Sequence, residues 1–441
     1  MKERIKGARL VLPDGVYPDG EVWFSEGKID RVLRSGITGS SVGVPGSSTG
    51  ATGPSAEVPG SSTGAIGPSA EVPGSSAEVE WELDGDFLVP GLIDTHVHGA
   101  GGFDTMDGTG AALDAVRGAL LREGTTAFLA TTMSAAPEEI LGVLSQLEPH
   151  LATKAGAGRA GEDRHSEGSV GAEFLGVHME GPFLSPKYKG AQAAAGIWPE
   201  DSAGAADFVR RIVHDYPGLV RILTLAPERA DARELTEACG EGGILPSAGH
   251  TSASYDKMLE AAGWGLCRVT HAFNAMPGIH HREPGLLTAS LMDDRITLEL
   301  IADGVHIHPS VLQLVLRLKA ETGVVLVSDG TRAVGMPDGE YELGGQHTFV
   351  RRGVARLADG TIAGSAFPLL QGLRVLWAAH YPLHLALRAA TLNPARMLGI
   401  DARLGSLSVG KEATFLRLSP EFDLRQVWLR GEPVLEETLQ R

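Results

Sequence analysis

Cysteine is nearly absent: Cys239 and Cys267 are the only two in 441 residues, and no CxxC spacing occurs. That excludes a disulfide framework and a cysteine-ligated zinc site, and it makes a reducing compartment, the cytoplasm, the expected location. Long apolar runs are missing too. No stretch approaches the roughly 20 residues of a membrane span, and the N-terminus MKERIKGARLVLPDG lacks the apolar run of a secretory signal. Positive charge is in short supply, since 38 Lys and Arg against 55 Asp and Glu leave a formal charge of −17. The resulting field repels nucleic acid and anionic membranes, and no basic block offsets it. Aromatics are few, 5% against 43% hydrophobic and 21% charged, which suits an α/β protein better than a fibrous, disordered or membrane chain. An anionic small molecule would have to be drawn in by a local group of donors, and His280, His281 and Arg282 are the first candidates.

The length allows one large barrel and a smaller domain. Residues 36–77 stand apart: VPGSSTGATGPSAE, VPGSSTGAIGPSAE and VPGSSAEVE are near-copies, rich in Gly, Ser and Pro. Such a repeat buries too little apolar surface to offset its ordering entropy, so a flexible insertion is expected. Around it, RIKGARLVL, EVWFSEGKIDRVL and VEWELDGDFLVPG alternate between Gly/Asp turns and predict short antiparallel strands. The tail LGSLSVGKEATFLRLSPEFDLRQVWLRGEPV returns to that texture. Residues 1–35, 78–88 and 403–441 are therefore expected to build one small β domain of sandwich type, with the insertion between its parts.

Residues 89–402 read differently. Eight apolar runs alternate with helical patterns: LVPGLIDTHVH, TTAFLATTM, EFLGVHMEGP, VRILTLAPE, ILPSAGHT, CRVTHAFNAM, ITLELIADGVH and VVLVSDG. That is the pattern of an α/β fold, a closed (β/α)8 TIM-like barrel. YELGGQHTFVRRGVARLADGTIAG then predicts hairpin strands over the barrel mouth, followed by a helical region to about Gly399.

The chemistry-bearing residues lie at the C-terminal ends of these runs, where barrels build their active sites. His96 and His98 are two apart on a strand, so their imidazoles share a face and can chelate one divalent ion. A lone HxH is common by chance; its place at the first barrel run gives it weight. Glu180 ends GVHMEGPF among apolar neighbours, which favours a ligand over a solvated rim charge, while His178 is expected to be packing or support. His250 in SAGHTS and His271 in VTHAFNAMPG end successive strands, so one ion can bridge them with Glu180. Three N/O ligands and an open position bring a bound water near a pKa of about 7. Asp329 in VVLVSDG is placed to move protons, though Asp before Gly is also an ordinary turn. His306 in IADGVHIH can steady a developing oxyanion, or simply be exposed with His308 before a helix.

Taken together, PGLIDTHVHGAGGFDTMDG, GVHMEGPFLSPKYKGAQ, AGHTSASYD, THAFNAMPGIHHREPG, IADGVHIHP, LVSDGT and ATLNPARMLGI resemble the N-acetylglucosamine-6-phosphate deacetylase family of the amidohydrolase superfamily, from about Phe87 to Gly410. The resemblance implies hydrolysis of N-acetyl-D-glucosamine 6-phosphate by a homodimeric enzyme. It implies a divalent ion, Zn2+ first and otherwise Fe2+, Mn2+ or Co2+, held by Glu180, His250 and His271. His96 and His98 match members that hold a second ion. Asp329 would be the general base and acid, and His306 would polarise the carbonyl. Substrate contacts are implied at Ala191, Gln192, Asn274, Ala275, Arg282, His306 and Ala363, with Arg282 acting in the neighbouring subunit. Departures are SDG in place of TDA, and GSAF then Pro368 in place of GSSLTM. A carboxylated-lysine chemistry is disfavoured because RILTLAPE carries no lysine. Two rival functions are an N-acetylgalactosamine 6-phosphate deacetylase and a catalytically silent scaffold; a silent scaffold would have shed ligands that this chain keeps.

Overall fold

The computed structural model describes residues 1–35, 77–151, 170–199, 204–319 and 321–435. The expectation of a flexible insertion at 36–77 lies outside these, apart from Ala77. Eight parallel strands form the centre: Leu92–Val97, Thr125–Thr132, Glu173–Glu180, Val220–Leu225, Leu245–Ala248, Arg268–Val269, Thr297–Ile301 and Val324–Val327. They pair in sequential order, and each corresponds to one of the eight runs read from the sequence. The ring closes between the eighth and first strands: His98 N–H donates to the Gly330 carbonyl at 2.7 Å and Asp329 N–H to the His96 carbonyl at 3.0 Å.

Strands such as Thr125–Thr132 are buried along their whole length, because helices cover the outside and side chains fill the inside. Between strands run helices that bury one stripe each. Ala205–Asp215 turns Phe208, Val209 and Ile212 inward, the spacing that one helical face requires. Helix starts are marked in the sequence: Thr109 accepts from Ala112 N–H, and Ser254 from Lys257 N–H. Among the described residues, no helix is long and apolar enough to cross a membrane.

The terminal segments make a separate eight-stranded sheet, in which Phe87–Pro90 sits between Lys2–Leu12 and Phe415–Leu418. It has its own core of Ile5, Leu10, Val22, Phe24, Ile29, Leu88, Phe415 and Trp428. Phe87–Pro90 passes straight into the first barrel strand through Gly91. The backbone there runs so close to the second strand that a Cβ on Gly91 would fall 2.2 Å from Thr126 Oγ1. A four-stranded antiparallel sheet, Gly339–Leu343, Gln346–Arg351, Val354–Leu357 and Ile362–Ser365, follows the last barrel strand. Its final strand bonds the loop that carries Asp329: Ser365 N–H donates to the Asp329 carbonyl at 2.8 Å.

Candidate metal centre

At the C-terminal ends of the barrel strands, four imidazoles and two carboxylates converge. Glu180, the last residue of its strand and 2% exposed, is the hub. Its Oε1 lies 2.9 Å from His271 Nε2, 3.1 Å from His250 Nε2 and 3.6 Å from His96 Nε2, and its Oε2 lies 3.3 Å from His98 Nε2. Asp329 Oδ1 is 3.3 Å from both His96 Nε2 and His98 Nε2. Two donor trios result, His96–His98–Glu180 and Glu180–His250–His271, each gathered within 4.8 Å and sharing Glu180.

Backbone geometry aims these side chains. His250, His271 and Asp329 stand just past their strands with φ of 46°, 29° and 50°. A side chain in that region costs on the order of 1–3 kcal/mol and persists only where the surroundings impose it. The turns lift each ring or carboxylate off the sheet toward the barrel axis. His250 Nδ1 is held by the Tyr188 carbonyl at 2.9 Å. That bond places the ring proton on Nδ1 and leaves the Nε2 lone pair facing Glu180.

Carboxylates and imidazoles in the cluster set one another's charge. Burial works against charged rings here, yet the bonds and fields of Glu180 and Asp329 hold His98 well above the usual imidazole range and lift His271 to about 9. Burial likewise opposes ionisation of Glu180, and the surrounding imidazoles overcome it and hold the carboxyl well below the usual range. Imidazole nitrogens stand 3.1 Å apart in His250–His271 and 3.2 Å apart in His96–His98. In the metal-free protein such distances are met by an N–H of one ring donating to the other, and a divalent ion can take the place of those protons. Buried imidazoles and carboxylates are the donor set of Zn2+ and related divalent ions, so the residues present fit a divalent cation in either trio.

Of the other expected residues, Gln192 touches this centre directly. Gln192 is 2% exposed and spans from Ser134 N–H, accepted at 2.9 Å, to Glu180 Oε2, donated at 2.5 Å; its amide braces the hub. Ala191 and Ala363 meet in one small apolar cluster with Met133 and Leu343 at the barrel mouth. Asn274 turns its amide back to the His271 carbonyl at 3.2 Å, and the Ala275 carbonyl accepts from Thr251 N–H at 3.2 Å. His306 donates from Nδ1 to Asp303 at 2.8 Å, and Asp303 also accepts from Ser365 Oγ at 3.1 Å. Arg282 stands on an exposed loop, 2.5 Å from His281 Nε2.

His178 has both ring nitrogens committed, to the Thr95 carbonyl at 3.1 Å and Thr224 Oγ1 at 2.8 Å. Burial and the nearby His96 push it down to about 3, so the ring is neutral. Three buried groups escape the sequence reading. Glu299 bonds His96 and Arg268. Asp94 accepts from Ser328 Oγ at 2.5 Å, and burial pushes its carboxyl up to about 7. Asp303 carries His306. The available signal is a charged residue interrupting an apolar strand, as in TLELI, LIDTHV and LIADG.

A (β/α)8 barrel with histidines and carboxylates gathered at the C-terminal ends of its strands is the architecture of a barrel enzyme whose site is able to hold a metal. The Amidohydrolase family model matches residues 87–434, and the chain belongs to the amidohydrolase family. It is 38% identical to the N-acetylglucosamine-6-phosphate deacetylase of Bacillus subtilis, over 81% of this chain and 86% of that protein. It is 35% identical to the N-acetylgalactosamine-6-phosphate deacetylase of Escherichia coli, over 80% of this chain and 88% of the relative. A mutant of the Mycobacterium smegmatis N-acetyl-D-glucosamine-6-phosphate deacetylase, solved with N-acetyl-D-glucosamine-6-phosphate, superposes with a TM-score of 0.80 at 28% identity. That match covers 98% of this chain and 99% of the other.

Proposed function

We propose that the chain hydrolyses the acetamide of N-acetyl-D-glucosamine 6-phosphate to glucosamine 6-phosphate and acetate. The observation that carries this reading is Asp329. A carboxylate held 3.3 Å from two imidazole nitrogens of the cluster stands where an attacking water must lose its proton. A divalent ion in the cluster, Zn2+ in our reading and one or two per chain, supplies the positive charge that activates the water and polarises the amide carbonyl.

Asp329 takes the water proton as the C–O bond forms and returns it to the nitrogen as the C–N bond breaks, so one carboxylate serves both steps. Its contact with two histidines keeps it ionised: burial opposes that state, and His96 and His98 outweigh burial to hold the carboxyl below the usual range. His306, held through Nδ1 by Asp303, faces the carbonyl oxygen in our reading. Ala191, Gln192, Asn274, Ala275 and Ala363 line the approach in our reading, and Arg282 reaches from its exposed loop to the phosphate held in a second copy of the chain. Free Cys239 and Cys267 accord with a cytoplasmic enzyme.

The galactosamine isomer is the second reading, favoured by the comparable likeness to the Escherichia coli relative. A panel of N-acetylated hexosamines with and without 6-phosphate decides between them by acetate release. Turnover of N-acetyl-D-glucosamine 6-phosphate above the others supports the proposal, and preference for an unphosphorylated sugar contradicts it.

A further inference from the structure

Glu299 lies in the strand Thr297–Ile301 and is fully buried. It does not face the centre of the cluster; its carboxylate works from behind. Oε1 accepts from His96 Nδ1 at 2.7 Å and from the backbone N–H of His271 at 3.1 Å, while Oε2 accepts from Arg268 Nη2 at 2.8 Å. Arg268 is itself 1% exposed, so the ion pair sits wholly inside the barrel. An ionised carboxylate only accepts hydrogen bonds. The proton on His96 is therefore on Nδ1, and the Nε2 lone pair is left aimed at His98, Glu180 and Asp329. Backing of the four imidazoles is uneven among the described residues. His250 has the Tyr188 carbonyl, Nδ1 of His98 and of His271 has no partner, and His96 alone rests on a carboxylate.

We infer that Glu299 is a positioning residue of the metal centre, fixing the tautomer of His96 in one donor trio and the backbone of His271 in the other, with Arg268 deciding which carboxylate oxygen does so. The inference rests on the reading of the cluster as a metal site. Its chemistry predicts a specific failure in Glu299→Gln. Arg268 demands an acceptor, so the new amide turns its carbonyl to the guanidinium and its NH2 to His96. His96 Nδ1 must then accept, its proton moves to Nε2, and the ligand lone pair is lost. The His271 N–H loses its acceptor in the same rotation. The opposite amide orientation sets NH2 against the guanidinium, two donors face to face.

The test uses full-length protein stripped with chelator and titrated with Co2+, read by visible d–d absorption and by bound cobalt after dialysis. Glu299→Gln should weaken Co2+ binding about 10- to 100-fold, the size of effect that loss of such support has on a metal site, with an altered spectrum. In a His96→Asn background the same substitution should cost markedly less, because only the His271 backbone contact is left for it to act through. Parent affinity and spectrum in Glu299→Gln would overturn the inference, as would a penalty undiminished in the His96→Asn background, the mark of a general structural role. Should Glu299→Gln fail to fold, Arg268→Met/Glu299→Leu removes the buried charge and the acceptor behind His96 together and must show the same loss. A double variant that also fails to fold assigns the pair to the barrel and overturns the inference. If the parent itself takes up no Co2+, the metal reading falls first; if the parent binds and the variant binds equally, only the role of Glu299 falls.

Discussion

Replacing Glu180 with Gln keeps the shape of the hub and removes the charge that four imidazoles surround. Oε1 is 2.9 Å from His271 and 3.1 Å from His250, and the residue is 2% exposed, so solvent cannot substitute for the lost charge. Loss of a residue that merely supports a ligand costs about 10- to 100-fold in metal affinity, and Glu180 is itself a donor in both trios, so Zn2+ affinity should fall by about 10²-fold or more. A second signature follows from the protons that Glu180 retains. His271, lifted to about 9, is protonated near neutral pH in the metal-free protein and must release that proton to ligate. Calorimetric titration with Zn2+ in two buffers of different ionisation enthalpy reads both affinity and protons released. The parent should release at least about one proton per ion, and the Gln variant should bind weakly and release fewer. Parent-like affinity in the variant, or binding without proton release in the parent, would refute the assignment of Glu180 as the shared ligand.

Asp329→Asn keeps size and most hydrogen bonding but cannot accept the water proton, so kcat should drop by about 10²-fold or more at unchanged metal content; near-parent turnover removes Asp329 from the mechanism. Gly91→Ala places a Cβ 2.2 Å from Thr126 Oγ1 and should cost about 1–3 kcal/mol in urea unfolding, partly restored by adding Thr126→Ala; an unchanged midpoint would mean the two strands can part freely. Burial raises the Glu123 carboxyl, with Arg374 and Arg122 opposing. The folded state therefore binds the proton more tightly than the unfolded one, and this residue's contribution to stability falls as pH rises from the unfolded pKa through the folded one. Glu123→Gln should melt higher than the parent near neutral pH and lose that advantage in acid, below the unfolded carboxyl pKa of about 4.3; a gap independent of pH would contradict the shift.

Much of the barrel is legible in the sequence because strands buried on both faces read as continuous apolar runs, and TTAFLATT is buried throughout as such a run requires. The site residues stand out as polar side chains closing those runs. The left-handed turns at His250, His271 and Asp329 are not legible, since nothing local in SAGHTS or VSDG demands positive φ; tertiary packing imposes it. Glu299 stays hidden for a related reason. Its partners His96 and Arg268 are 203 and 31 residues away in sequence, so the bonds arise only when the ring brings strands together. Gln192, implied by the family resemblance as a substrate contact, also sets its amide nitrogen against Glu180 at 2.5 Å; that bracing depends on a contact across 12 residues and has no local signature.

Metal-dependent deacetylation directed by Asp329 is the central proposal. Its most direct test is acetate release from N-acetyl-D-glucosamine 6-phosphate by chelator-stripped protein before and after one and two equivalents of Zn2+, run in parallel on Asp329→Asn. Turnover should be absent without metal, return with it in the parent, and stay about 10²-fold lower in the fully loaded Asn variant. Acetate released at the same rate by stripped and reloaded protein, or by the parent and Asp329→Asn alike, would contradict it.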